Sequence, residues 1–158
     1  MARKTNAMRL LDQKKIQYQI QEYPSDEIIA AKDVAHYFGQ STSRLFKTLV
    51  TTDQKHYYVF CLPACDELNL KHAAKIAKTK KIEMLKQHDL LPLTGYVHGG
   101  CSPIGMKKVF PTFVCQSALD YETIYVSGGQ LGLQIELNPR DLEKLLKVQF
   151  VDLKGEEE

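Results

Sequence analysis

No stretch of this chain is apolar for long enough to cross a membrane, which takes about 20 consecutive apolar residues in a helix. An apolar leader segment is missing too. Met1-Ala2-Arg3-Lys4-Thr5-Asn6 is basic, but it runs directly into an amphipathic pattern carrying Asp12 and Lys14, so a secretory leader is excluded and a cytosolic protein is expected. Cysteine is sparse. Cys61, Cys65, Cys101 and Cys115 do not make a disulfide framework in a cytosolic chain of 158 residues. Cys61-x-x-x-Cys65 has no second close pair, and the five histidines lack zinc-ligand spacing, so neither a metal site nor another cofactor is expected. Internal repeats and linker-like segments are also missing. The length then points to one domain over residues 1–158, with 154–158 a disordered acidic tail.

Hydrophobic residues make up 44% and charged residues 25%, ordinary globular values that exclude wholesale disorder. Net charge is only +2, but it is unevenly distributed. Between Lys71 and Lys86 six lysines and one histidine face a single acid, Glu83, while Glu156-Glu157-Glu158 closes the chain. That polarity suits an anionic partner such as RNA, and equally a solvated lysine-rich face.

Glycine is concentrated where it matters. Gly95 to Lys108 reads G-Y-V-H-G-G-C-S-P-I-G-M-K-K, and four glycines with Pro103 cannot be an ordinary helix or strand. A shaped loop of this kind brings backbone N–H groups close to an anion or a developing negative charge. A second cluster, Ser127-Gly128-Gly129-Gln130-Leu131-Gly132, follows an apolar run.

Periodicity supplies the frame. Helices are predicted from Thr5 to about Lys15, over Ala30–Phe38 with Gly39 as the stop, from Leu70 to about Lys78 capped by Asn69, briefly at His88–Leu93, and after Asn138-Pro139 to about Lys147. Strands are predicted at 16–23, 44–51, 57–62, 82–85, 112–115, 123–126, 133–137 and 148–153. Strands that arrive in clusters imply an α/β domain with a curved or barrel-like, mostly antiparallel mixed sheet surrounded by helices. Within 44–51, alternation gives Lys47 the same inward parity as Leu45 and Leu49. A lysine on a core-facing side is costly unless it lines a cavity or meets an anion.

Phe46-Lys47-Thr48-Leu49, the run Gly99-Gly100-Cys101-Ser102-Pro103-Ile104-Gly105-Met106-Lys107-Lys108, and Ile124-Tyr125-Val126-Ser127-Gly128-Gly129 occur in an order and spacing that resembles the YbaK/EbsC family. These are free-standing relatives of the editing domain inserted in prolyl-tRNA synthetase. The resemblance spans about Thr5 to Leu153. It implies that family's fold and a cofactor-free aminoacyl-tRNA hydrolase that removes cysteine from mischarged cysteinyl-tRNA(Pro), with alanyl-tRNA(Pro) deacylation or a non-catalytic tRNA- or synthetase-binding module as alternatives. It implies catalytic roles for Lys47, Gly99, Gly100 and Ser127, and a substrate pocket that includes Tyr23, Thr48, Ser102, Pro103, Gly128, Gly129 and Gln134. Gln134 is a departure, because close relatives can carry an acid there. Lys71, Lys75, Lys78, Lys107 and Lys108 are the candidates for contacting tRNA. Prolyl-tRNA synthetase is the implied protein partner, and neither a membrane nor DNA is expected.

The chemistry suits these residue types. Cysteine and proline are similar in size, so a binding pocket separates them weakly and a second, hydrolytic site is the physical remedy. An aminoacyl ester is already activated, and positioning with oxyanion donors suffices for its hydrolysis. The resemblance further suggests that the substrate's own thiol attacks the carbonyl. A rival places Cys101 as nucleophile with His98 three residues upstream, but no third group is evident to orient the base.

Overall fold

The computed structural model describes residues 4–26 and 30–154. Eight strands and four α-helices follow one another as α1 (Asn6–Gln13), β1 (Gln19–Glu22), α2 (Ala31–Tyr37), β2 (Phe46–Thr52), β3 (Tyr57–Pro63), α3 (Leu70–Ala77), β4 (Glu83–Met84), α4 (Gln87–Thr94), β5 (Thr112–Cys115), β6 (Ile124–Ser127), β7 (Leu133–Leu137) and β8 (Val148–Val151), with 3-10 turns at Gln116–Asp120 and Pro139–Lys144. The acidic tail expected at 154–158 lies beyond the described residues except for Lys154.

Local signals explain most starts and stops. Thr5 Oγ1 accepts the Met8 N–H and opens α1, whose Ala7, Met8 and Leu11 are buried. Asn69 Oδ1 accepts the His72 N–H and opens α3, which buries Ala73 and Ala74 while Lys71, Lys75 and Lys78 stay exposed. Asn138 caps the turn that begins at Pro139, although that turn is a short 3-10 segment and not the longer helix expected. The strand expected from residue 16 begins only at Gln19. Ile16 packs into the core beside α1 instead, and Ile20, with the inward parity, is exposed on an edge strand.

The strands form two sheets, and the expected barrel does not close. In the five-stranded sheet, ordered β4-β2-β3-β5-β8, the β2–β3 hairpin and the β2–β4 pair are antiparallel, whereas β3–β5 and β5–β8 are parallel. The other sheet, β1-β7-β6, is antiparallel. One parallel bridge, Leu45 to Tyr125, links them among the described residues.

Arg44 reinforces that junction. Its guanidinium donates to Gln40 Oε1, the Thr123 carbonyl and Glu136 Oε2, each at 2.9 Å, and lies 5.1 Å from the centre of the Tyr125 ring. The charged plane therefore satisfies donors in several directions at once, which a lysine could not do. Beneath it, Tyr23, Val34, Ala35, Leu45 and Tyr125 form a small apolar cluster distinct from the main core. The main core draws on both sheets, with Ile124, Val126, Ile135 and Leu137 from the smaller one, and on the larger one Phe60 and Phe113 stack at 5.2 Å across the parallel β3–β5 pair. Each fully buried side chain of that size contributes about 1.5–3 kcal/mol of transfer free energy.

The β2–β3 turn is tied by one carboxylate. Asp53 accepts the Lys55 and His56 N–H groups at 2.9 and 2.6 Å, the Thr79 hydroxyl at 2.9 Å and the Tyr58 hydroxyl at 3.1 Å. These donors, the His56 amide foremost, hold its carboxyl well below the usual carboxylate range. A depressed folded pKa means that this stabilisation is present above the unfolded value near ~4 and is lost as pH falls through the folded one. Asp53→Asn is therefore expected to lower Tm at pH 7, and thermal melts should show the gap from wild type narrowing progressively below pH ~4.

Candidate functional site

A cavity of about 650 Å³ opens between the two sheets, a volume in the usual range for small-ligand sites. Its walls come from both sheets and the elements around them. Leu45 with Phe46–Val50 of β2, Ser127 of β6, Gln134 of β7, α2, α4 and the glycine loop all contribute. Val34, Leu45, Phe46 and Leu90 make much of the lining apolar and are themselves buried.

Of the residues implied by sequence, Tyr23, Lys47, Thr48, Gly99, Ser127 and Gln134 all line this one cavity. Lys47 is half-buried in β2, two residues after the bridge residue Leu45, and no carboxylate stands among the described lining residues. A cation in such a wall faces an incoming ligand without a fixed counter-ion there. Tyr23 is held in place by its N–H, which donates to the Gly132 carbonyl at 2.9 Å. The Ser127 hydroxyl oxygen accepts the Gly129 N–H at 3.2 Å, so its own proton points elsewhere.

The glycine loop divides its work by alternation. Gly99 and Cys101 line the cavity, whereas Gly100 between them turns away. Gly99 has φ +85°, a backbone shape that costs a side chain energy. Gly100 has a different reason to be glycine: a Cβ there would sit 2.9 Å from the backbone of Gln130 and Leu131. The two glycine clusters thus pack backbone on backbone. The Gly100 N–H is spent on the Val97 carbonyl at 3.0 Å, so it closes a turn and is not an open donor.

Gly100, Ser102, Pro103, Gly128 and Gly129 do not line the cavity. Ser102 is fully buried, with its Oγ accepting the Ile104 N–H, and Pro103 lines a separate recess of about 40 Å³ beside Leu10 and Met106. Gly128 packs on Leu133, and Gly129 on Thr5 and Tyr96. These five shape the wall from behind. Lys71, Lys75, Lys78, Lys107 and Lys108 are all exposed and outside the cavity, and Lys107 Nζ donates to the Pro92 carbonyl at 3.2 Å.

Cys101 lines the cavity, yet burial pushes its thiol up to about 12, which outweighs the smaller opposing effect of the Thr94 hydroxyl. A thiol so protonated at neutral pH is a poor nucleophile. His98 is exposed on the same loop, and no hydrogen bond joins it to Cys101 among the described residues. Among the described residues no group of three His, Cys, Asp or Glu side chains is placed to hold a metal ion. No described helix is long and apolar enough to cross a membrane. Sequence reasoning missed the Arg44 junction, whose four-way contacts depend on residues 40, 123, 125 and 136 meeting in space. It also missed Gln87 and Leu90 as lining, which only the position of α4 reveals.

Comparison with known proteins places this geometry. The family profile described as the aminoacyl-tRNA editing domain matches residues 26–145. A curated Enterococcus faecalis protein, provisionally named Cys-tRNA(Pro)/Cys-tRNA(Cys) deacylase EbsC, is 45% identical over 156 residues, covering 98% of this chain and 95% of its own. The crystal structure of a provisional trans-editing enzyme for prolyl tRNA synthetase superimposes with a TM-score of 0.86 at 23% identity, covering 96% of each chain. That of a hypothetical protein gives 0.81 at 22% identity over 92% of this chain and 98% of its own. These structural likenesses show the fold.

Proposed function

Since the chain belongs to the YbaK/EbsC family of aminoacyl-tRNA editing domains, we propose that it hydrolyses mischarged aminoacyl-tRNA, with cysteinyl-tRNA(Pro) as substrate. The observation that carries this reading is the convergence of Tyr23, Lys47, Thr48, Gly99, Ser127 and Gln134 on one largely apolar cavity from elements far apart in the chain. An apolar enclosure suits a small aminoacyl side chain, and a lysine cation without a fixed partner in the wall suits the negative charge that develops on an ester under attack.

The reaction follows from the substrate's own chemistry. The cysteinyl sulfur attacks the ester carbonyl carbon; a carbon–sulfur bond forms, the bond to the ribose oxygen breaks with the thiol proton passing to that oxygen, and the thiolactone so formed leaves and is hydrolysed by water to free cysteine. Lys47 and backbone N–H groups of the glycine loop stabilise the carbonyl oxygen as it becomes negative, while the walls hold sulfur and carbon in attacking geometry. Gly100 acts by holding the loop against Gln130 and Leu131. No protein nucleophile is needed, in keeping with the high pKa of the Cys101 thiol. Cys101→Ala is accordingly expected to retain deacylation within about threefold, the scale of a small packing change, and a loss above a hundredfold in a folded variant would restore Cys101 as nucleophile.

The deciding assay follows the decay of cysteinyl-tRNA(Pro) and alanyl-tRNA(Pro) with and without the protein. Accelerated loss of the cysteinyl ester alone is expected. No acceleration of either would defeat the deacylase reading, and equal loss of both would defeat the thiol-assisted step. The exposed lysines 71, 75, 78 and 108 contact the tRNA backbone in this reading, so binding weakens with added salt. The Enterococcus faecalis relative is named for both Cys-tRNA(Pro) and Cys-tRNA(Cys), which fits a site that reads the aminoacyl group and leaves choice of tRNA to prolyl-tRNA synthetase. Addition of that synthetase should then raise the rate on cysteinyl-tRNA(Pro) relative to cysteinyl-tRNA(Cys).

A further inference from the structure

Gln134 stands in the middle of the antiparallel sheet, in register with Ser127 of β6 on one side and Gln21 of β1 on the other. The residue is 5% exposed and lines the cavity, and its Oε1 has no hydrogen-bond partner among the described residues. Buried amide oxygens are almost always paired, because leaving one dry and unpartnered is costly. An orphan acceptor on a cavity wall is therefore matched to a donor that arrives with the ligand.

The surrounding chemistry narrows the donor. Around the cavity, Lys47 and the Ser127 hydroxyl are donors, and the oxygen of Ser127 is already accepting the Gly129 N–H. Such groups meet the oxygens of an ester and a ribose. An aminoacyl ester carries one strong donor close to its carbonyl, the α-ammonium. No carboxylate stands among the described lining residues, and Gln134 Oε1 is the buried acceptor among them that lacks a partner. We infer that Gln134 Oε1 receives the α-ammonium of the aminoacyl group and makes the site selective for a free α-amino group. This rests on the deacylation reading given above. An amide does not titrate, so the selection stays constant across the pH range in which a carboxylate acceptor would lose its charge. It also disfavours peptidyl-tRNA, whose α-nitrogen is acylated and carries no charge.

The test compares cysteinyl-tRNA(Pro) with 3-mercaptopropionyl-tRNA(Pro), which keeps the thiol and lacks the amine, using wild type, Gln134→Leu and Gln134→Glu and correcting each ester for its uncatalysed decay. Loss of one hydrogen bond to a charged group corresponds to about tenfold or more. Wild type should prefer the cysteinyl ester by at least that factor, chiefly through KM. In Gln134→Leu the ratio should fall towards one, and Gln134→Glu, which keeps an acceptor, should preserve it at pH 7. Equal rates on both esters by wild type, or an unchanged ratio in Gln134→Leu, would overturn the inference. If neither ester is hydrolysed, the deacylation reading fails. The amine inference is then judged by calorimetry with the cysteine amide of 3′-amino-3′-deoxyadenosine and its desamino counterpart: tighter binding of the former by wild type but not Gln134→Leu upholds it, and equal binding by wild type overturns it.

Discussion

Lys47→Ala is expected to lower kcat/KM for cysteinyl-tRNA(Pro) by about a hundredfold or more while leaving the melting temperature within a few degrees of wild type. The magnitude is that of deleting one preorganised electrostatic donor from a site where charge develops. The small stability effect follows from position, because Lys47 is half-buried and makes no ion pair among the described residues, so its removal strands no partner. Its backbone pairing with Leu62 in the hairpin is unaffected. Lys47→Arg separates charge from shape: the guanidinium keeps the cation but is broader and differently directed. Partial activity is expected from it, and steady-state kinetics on both variants provides the check. A fully active Lys47→Ala enzyme would remove Lys47 from the mechanism.

Gly100→Ala should damage the cavity wall with a single methyl group. The added Cβ would meet the Gln130 and Leu131 backbone at 2.9 Å, and backbone cannot rotate aside as a flexible side chain can. Overpacking of this kind costs about 1–3 kcal/mol, and more where the neighbours are rigid. The loop must move away from the second glycine turn, taking Gly99 and Cys101 with it, so activity should fall further than stability does. Gly39→Ala is the control. Gly39 has a positive φ, which Gly100 does not, and no atom lies within 4 Å of the new Cβ. It should cost only the local backbone strain of about 1 kcal/mol and leave deacylation unchanged. Thermal melts and deacylation rates of the two variants, side by side, distinguish close packing from backbone strain.

What could be read from the chain followed the range of each signal. Caps at Asn69 and Asn138 depend on residues two or three positions away, and the structure places both at the starts of their elements; at the first helix either Thr5 or Asn6 could serve, and Thr5 does. The bounds of β5 and β7 likewise coincide with the expected 112–115 and 133–137. Sheet architecture depends on who pairs with whom across long separations. The parallel β3–β5 and β5–β8 pairs, and the split that leaves one bridge between sheets, leave no local trace, and the expected barrel fails there. The site shows the same division. Lys47 was legible because a charged residue violates the parity of its strand. Gly100, Ser102, Pro103, Gly128 and Gly129 share their motifs with cavity residues but stand behind the wall, since one residue's displacement along an extended loop reverses its direction. Gln134 was visible as a departure in the motif; its unpartnered oxygen was not, because β7 is covered on both faces.

The junction between the sheets has a mechanical consequence. Lys47 and Thr48 ride on the five-stranded sheet, whereas Ser127 and Gln134 ride on the three-stranded one. The distance across the cavity is therefore set by a joint with one backbone bridge and the Arg44 guanidinium as its latch. Each sheet is internally laddered, and the main apolar core, with Phe46 and Phe60 from one and Ile124 and Ile135 from the other, holds the two together. The Arg44 contacts thus orient two sheets that the core already holds together, and with them the spacing of Lys47 from Gln134.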